Sequence, residues 1–111
     1  MYILRAFGFL LFLALAVFAQ QPTPILPDPK LTPGDTFDVT TQAVCVPGYA
    51  KKVRAVPAWL KRQAYAGYKI TEYKTGDYEV DHLIPLSLGG SNSIRNLWPQ
   101  STASFSAKGE N

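Results

Sequence analysis

Cysteine and histidine are almost missing from this chain: among its 111 residues there is one of each, Cys45 and His82. A single cysteine excludes an intrachain disulfide, so the fold has to rest on a small core, with a bound metal as the available reinforcement. Cys45 itself is left with an intermolecular bridge, a buried free thiol, or a partner in a missing piece of sequence. Long apolar runs are scarce too. The stretch Phe7–Phe18 falls short of the roughly 20 residues that a bilayer span needs. With Arg5 before it and Val17 and Ala19 at its end, it has the pattern of a secretory signal peptide, residues 1–19, cleaved after Ala19. The alternative is an uncleaved N-terminal anchor. The expected location is secreted or periplasmic, without stable membrane insertion once the signal is removed; the oligomeric state is not legible.

Charge of one sign is not dominant either, with eleven Lys and Arg against eight Asp and Glu, so net charge alone points to no partner. Its distribution is uneven. Lys51, Lys52, Arg54, Lys61, Arg62, Lys69 and Lys74 fall in a segment whose only acid is Glu72. Such a segment suits a polyanion-binding face, and equally an ordinary solvated surface.

No internal repeat is present, and the rest of the chain divides in order. Residues 20–35 hold Pro22, Pro24, Pro27, Pro29 and Pro33, which remove backbone donors and predict an extended tether. Residues 36–111 are the domain. Thr36–Val46, rich in Thr and Val, predicts one or two short strands, and Lys51–Val56 a further extended piece. Pro57 suits the first position of a helix through Ala66 that stops at Gly67; Leu60 and Ala64 share its buried stripe, with Lys61 and Arg62 turned away. Trp59, Tyr65, Tyr68 and Tyr73 are expected in core and rim packing rather than in base stacking. Tyr78–Ile84 predicts a strand, Gly89–Asn92 a loop able to take positive φ, and Asn96–Trp98 a short returning strand before Pro99.

The strand leads into Asp81-His82. A carboxylate holds a hard divalent cation through oxygen, and a neutral imidazole takes a proton from water near neutral pH. Together they suit metal-assisted hydrolysis of a phosphodiester. Neighbours on an extended strand point to opposite faces, so a bend is expected at the pair; without one, a hydrogen-bonded surface pair is the plainer reading.

The longer stretch Asp81-His82-Leu83-Ile84-Pro85-Leu86, Gly89-Gly90-Ser91-Asn92 and Asn96-Leu97-Trp98-Pro99 resembles the HNH endonuclease family, in particular its small exported bacterial members. The resemblance implies an α+β fold of ββα-metal type, here with an additional helix and short N-terminal strands. It implies Asp81 as metal ligand, His82 as general base and Asn96 as the asparagine that braces the loop between the strands. The implied cofactor is a divalent metal ion, Mg²⁺ or Mn²⁺, and the implied partner is nucleic acid, DNA rather than RNA. Arg95, Lys61 and Arg62 are the expected nucleic-acid contacts, Arg95 equally a plain surface arginine. Asn92 is assigned to loop geometry, as a residue that tolerates left-handed backbone.

One departure from the family stands out. The resemblance puts a second metal ligand near Ser104, Phe105 or Ser106, none of them a strong one. Glu110 or Asn111 reaching the cation, a C-terminal helix cut short, or lost cleavage with retained binding would each account for this; a cut helix would also account for the lone cysteine and is the expectation adopted. The function expected is therefore that of a secreted HNH-like nuclease, weakened or inactive if the ligand is lost. The alternative is a non-catalytic secreted module that binds nucleic acid or another polyanion through its basic segment, and a third is a structural protein of the cell envelope.

Overall fold

The computed structural model describes residues 25–103. The expected signal peptide, the first part of the proline-rich segment and the expected positions of the second metal ligand lie outside them. The elements in order are α1 (Thr41–Val44), α2 (Tyr49–Val53), α3 (Ala58–Gly67), β1 (Tyr78–His82) and β2 (Leu97–Ser101), with 3₁₀ turns at Leu86–Leu88 and Ile94–Asn96. The α+β class is as expected, a two-stranded antiparallel sheet with α3 packed on β2, while α1 and α2 lie against the 3₁₀ turn at Leu86–Leu88.

The first half differs from expectation. Residues 36–46 contribute one isolated bridge, Thr36 to Gly90, and the single turn α1, and Lys51–Val53 are helical rather than extended. Local capping outweighs the strand propensity of the Thr- and Val-rich run. The Thr40 side chain accepts from Ala43 N and starts α1, and Gly48, at φ 82, supplies the left-handed residue from which α2 begins. α3 begins after Pro57 and buries Leu60 and Ala64 as predicted. Gly67 is its last residue rather than its stop, and the left-handed position falls on Lys69, at φ 57. Trp59 is 60% exposed, so it is not the core aromatic expected. Tyr65, Tyr73 and Tyr78 do cluster, with Tyr65 and Tyr73 ring centroids 4.7 Å apart.

The hairpin pairs Tyr78 with Ser101 through His82 with Leu97. Leu83 N donates to Asn96 O, and Thr102 N to Asp77 O. Because antiparallel pairs alternate between bonded and non-bonded, Val80 and Pro99 form a non-bonded pair. That explains how a proline sits within β2: its missing N–H faces away from β1. The outer edge of β2 is covered by the proline-rich segment. Asp28 N donates to Tyr68 Oη (2.9 Å), Tyr68 Oη lies 2.6 Å from Thr32 Oγ1, and Thr32 Oγ1 donates to Leu97 O (3.0 Å). Since the Thr32 hydroxyl proton is used on Leu97 O, the Tyr68 hydroxyl is the donor to Thr32. Residues from Asp28 onward are thus bound to the domain, earlier than the boundary expected at residue 36.

The buried apolar set is small, Leu60, Ala64, Leu86 and Leu97, and it is matched by buried Thr32, His82, Ser91, Asn96 and Ser101. A core this polar depends on satisfied hydrogen bonds as much as on burial.

Candidate active site

Alternation along β1 sends Tyr78, Val80 and His82 to the buried side and Glu79 and Asp81 to the exposed side. The expected bend at the Asp-His pair does not occur between the two residues. The strand stays extended through His82 and the chain turns only afterwards, toward Pro85. The Asp81 carboxylate instead folds back along the strand edge, where Oδ1 accepts from His82 N at 2.8 Å. Oδ2 has no hydrogen-bond partner among the described residues.

A cleft of about 510 Å³ runs along this unpaired edge of β1. Arg54, Val56, Lys61 and Tyr65 form one wall, and Tyr78, Glu79, Val80 and Asp81 the other. Asp81 and Lys61 thus line one cleft, together with Arg54, named in the sequence only as part of the basic segment, and Glu79, which was given no role. Their signal was present: Glu79 is two residues from Asp81 on a strand and shares its face. Arg62 and Arg95 are exposed and do not line the cleft. Burial pushes the Tyr65 phenol above its ordinary range, with charge at Tyr73 and Glu79 adding to it, so it stays a donor; its Oη reaches Tyr78 O at 3.4 Å.

His82 is 8% exposed and is not among the residues that line the cleft. Its Nε2 is 3.0 Å from Asn92 Oδ1. The Asn92 Nδ2 donates to Val53 O at 2.8 Å, and Ala55 N donates to Asn92 Oδ1 at 3.2 Å. Asn92 does not take the left-handed backbone that was expected of it; its side chain joins the histidine to the end of α2. No local pattern announces this, because Val53 and Asn92 are far apart in sequence.

Asn96 has no exposed surface. Its Oδ1 accepts from Ile84 N (2.9 Å), while Nδ2 donates to Ile84 O (3.0 Å) and Ser91 O (2.8 Å). One amide thereby ties Ile84, two residues past the end of the Asp-His strand, to the loop that returns toward it. The two glycines of that loop have different reasons. Gly89 sits at φ 88, and a Cβ on Gly90 would lie 1.8 Å from Ile84 O and 3.0 Å from Asn96 Nδ2. Ser91 is held in turn from the N-terminal side: its Oγ donates to Asp35 Oδ2, and its N donates to Asp35 O at 2.9 Å.

Among the described residues no three His, Cys, Asp or Glu side chains converge to share an ion. The carboxylates of Asp81 and Glu79 are hard oxygen donors of the type that suits Mg²⁺ or Mn²⁺ rather than a thiolate-seeking metal. Cys45 is exposed, so the buried-thiol alternative does not hold.

An acid and an imidazole at the end of a short antiparallel hairpin, braced by a buried asparagine and flanked by a cleft with Arg54 and Lys61 on one wall and Glu79 and Asp81 on the other, make a small α+β site suited to hydrolysis at an anionic centre. Residues 63–111 match the family model described as HNH endonuclease. The family has a nuclease-type function, acts on nucleic acid and generally uses divalent metal ions. Comparison with curated proteins and with solved structures finds no match.

Proposed function

We propose that this protein is an exported nuclease that hydrolyses phosphodiester bonds in nucleic acid, DNA before RNA, with a divalent cation held at Asp81. The observation that supports this reading is the end of β1, where a carboxylate opens on a cleft carrying Arg54 and Lys61 and the next residue is the only imidazole of the chain.

The nucleic-acid backbone lies along the cleft, with its phosphates against Arg54 and Lys61. Asp81, whose Oδ1 already accepts from His82 N, would hold the cation, and Glu79 stands on the same strand face. When bound, the cation supplies positive charge to the phosphate and the departing oxygen. His82 takes a proton from water, whose oxygen forms the new P–O bond as the bond to the leaving sugar oxygen breaks. Asn96 keeps the turn after His82 in place through Ile84.

Plasmid nicking in Mg²⁺ or Mn²⁺ at low salt tests the proposal. The chain without residues 1–19 nicks the plasmid, and His82→Ala abolishes nicking while DNA binding survives. Equal nicking by both would remove His82 as the base. Binding by both with nicking by neither would favour the non-catalytic polyanion-binding module. Export is tested separately, by N-terminal sequencing of the protein recovered outside the cytoplasm; a mature start at Gln20 supports it.

A further inference from the structure

We infer that Asn92 is a positioning residue that holds neutral His82 in the Nε2–H tautomer, leaving Nδ1 as the proton-accepting atom. The inference rests on the proposed role of His82 for its functional meaning but not for its geometry.

Oxygen and nitrogen of a side-chain amide are told apart only by their partners. Here two backbone groups of opposite character decide. Val53 O can only accept, so the amide nitrogen faces it, at 2.8 Å. Ala55 N–H can only donate, so the amide oxygen faces it, at 3.2 Å. Neither group belongs to the histidine, so the orientation of Asn92 is set before the imidazole is considered. The oxygen so placed lies 3.0 Å from His82 Nε2. An amide oxygen has no proton to give, and the contact is a hydrogen bond only when Nε2 carries one. A neutral imidazole has a single N–H, which leaves the lone pair on Nδ1, and Nδ1 has no partner among the described residues.

The opposite tautomer would set two acceptors, Asn92 Oδ1 and the Nε2 lone pair, against each other beside a ring that is 8% exposed, where water is poorly placed to separate them. Turning the amide over to offer Nδ2 to the ring would break the bonds to both Val53 O and Ala55 N. The tautomer is thus set by the last turn of α2 and the residues after it, which precede the family-matched segment 63–111.

Because His82 is the only histidine, long-range ¹H–¹⁵N correlation spectra of the full chain contain one imidazole pattern. They are recorded at alkaline pH, without DNA or metal. The expected wild-type pattern has a protonated Nε2 and an unprotonated Nδ1, with widely separated ¹⁵N shifts. Asn92→Ala brings the two shifts toward each other as the tautomers begin to exchange, whereas Asn92→Asp, which keeps an acceptor oxygen for Nε2, retains the wild-type separation. A wild-type pattern with the proton on Nδ1 overturns the inference, and so does a folded Asn92→Ala whose shifts are unchanged. If Asn92→Ala does not fold, the wild-type and Asn92→Asp patterns decide in the same way. A chain that never nicks DNA can still show the Nε2–H pattern, and a chain that nicks with the proton on Nδ1 would overturn this inference alone.

Discussion

Replacing Asn96 with alanine removes the whole clamp between the strand end and the returning loop. Three backbone groups lose their partner at once: Ile84 N, Ile84 O and Ser91 O. Leaving a buried polar group unpaired costs about 1–3 kcal/mol. Ile84 is half-buried, so water can reach part of the gap and the lower end applies. Three groups at about 1 kcal/mol each give about 3 kcal/mol, before any cost for the small cavity. A domain of this size has a total stability of about 4–12 kcal/mol, so the variant stays folded but is left only marginally stable if the wild type lies at the lower end of that range. The matching fall in Tm is about 12–24 °C.

Urea denaturation followed by tryptophan fluorescence reads the effect, because Trp98 lies in β2 opposite Asp81. Asn96→Asp is the informative companion. It keeps an acceptor for Ile84 N but turns a carboxylate oxygen toward two carbonyls, so it should be no better than alanine. A loss below about 1 kcal/mol for Asn96→Ala, or an aspartate variant as stable as wild type, would refute the clamp as the element that holds the loop.

Gly90→Ala sets a methyl group 1.8 Å from Ile84 O, a distance no side-chain shift relieves, so it should destabilise the domain at least as much as Asn96→Ala; a Tm within a few degrees of wild type, about 1 kcal/mol or less, would contradict the close approach. Tyr65 has a phenol shifted upward by burial, then by charge at Tyr73 and Glu79, so the folded state holds its proton more tightly than the unfolded state. That contribution is complete below the ordinary tyrosine range and is lost as pH rises through the raised value; Tyr65→Phe should flatten this alkaline fall, measured as Tm against pH. Arg54→Ala and Lys61→Ala, each removing one cation from the cleft wall, should weaken DNA binding uniformly across sequences and each lower the salt slope by about one, while Arg62→Ala, outside the cleft, leaves the slope unchanged.

The parts of the site that a sequence displays are those decided within a few residues. The buried stripe of α3 through Leu60 and Ala64 and the glycine pair before Ser91 appear where expected; the hairpin does too, except that β1 ends at His82 rather than Ile84 and β2 runs on through Pro99 to Ser101 instead of stopping before the proline. Residues 36–56 went otherwise because strand propensity there competes with two short-range devices, the Thr40 cap and the left-handed Gly48. With no neighbouring strand to complete a ladder, the caps prevail. The role of Asn92 was illegible for a different reason. Its partners Val53 and Ala55 are more than thirty residues away, and an asparagine next to a double glycine reads as a turn residue unless that packing is known. The position of Thr32 against Leu97 was hidden in the same way by the prolines around it.

These long-range bonds share a direction. The segment matched to the HNH family starts at residue 63, yet the groups that immobilise its loop come from before it. Thr32 covers Leu97, Gly34 N donates to Arg95 O, Asp35 takes both N–H and hydroxyl of Ser91, and Val53 and Ala55 grip Asn92. Within 63–111 the described loop has the Asn96 clamp and mostly short-range turn bonds, such as Gly90 N to Pro85 O and Ser93 N to Ser91 Oγ, and the buried apolar set is small. The preceding residues therefore act as a brace that replaces apolar core with hydrogen bonds to one side of the hairpin. They leave the other side, the edge of β1 with Asp81, open to the cleft. That asymmetry fits the proposed site, in which the imidazole is held still while the carboxylate beside it stays accessible: the bracing bonds come from the β2 side and through Asn92, and the β1 edge is left to the cleft.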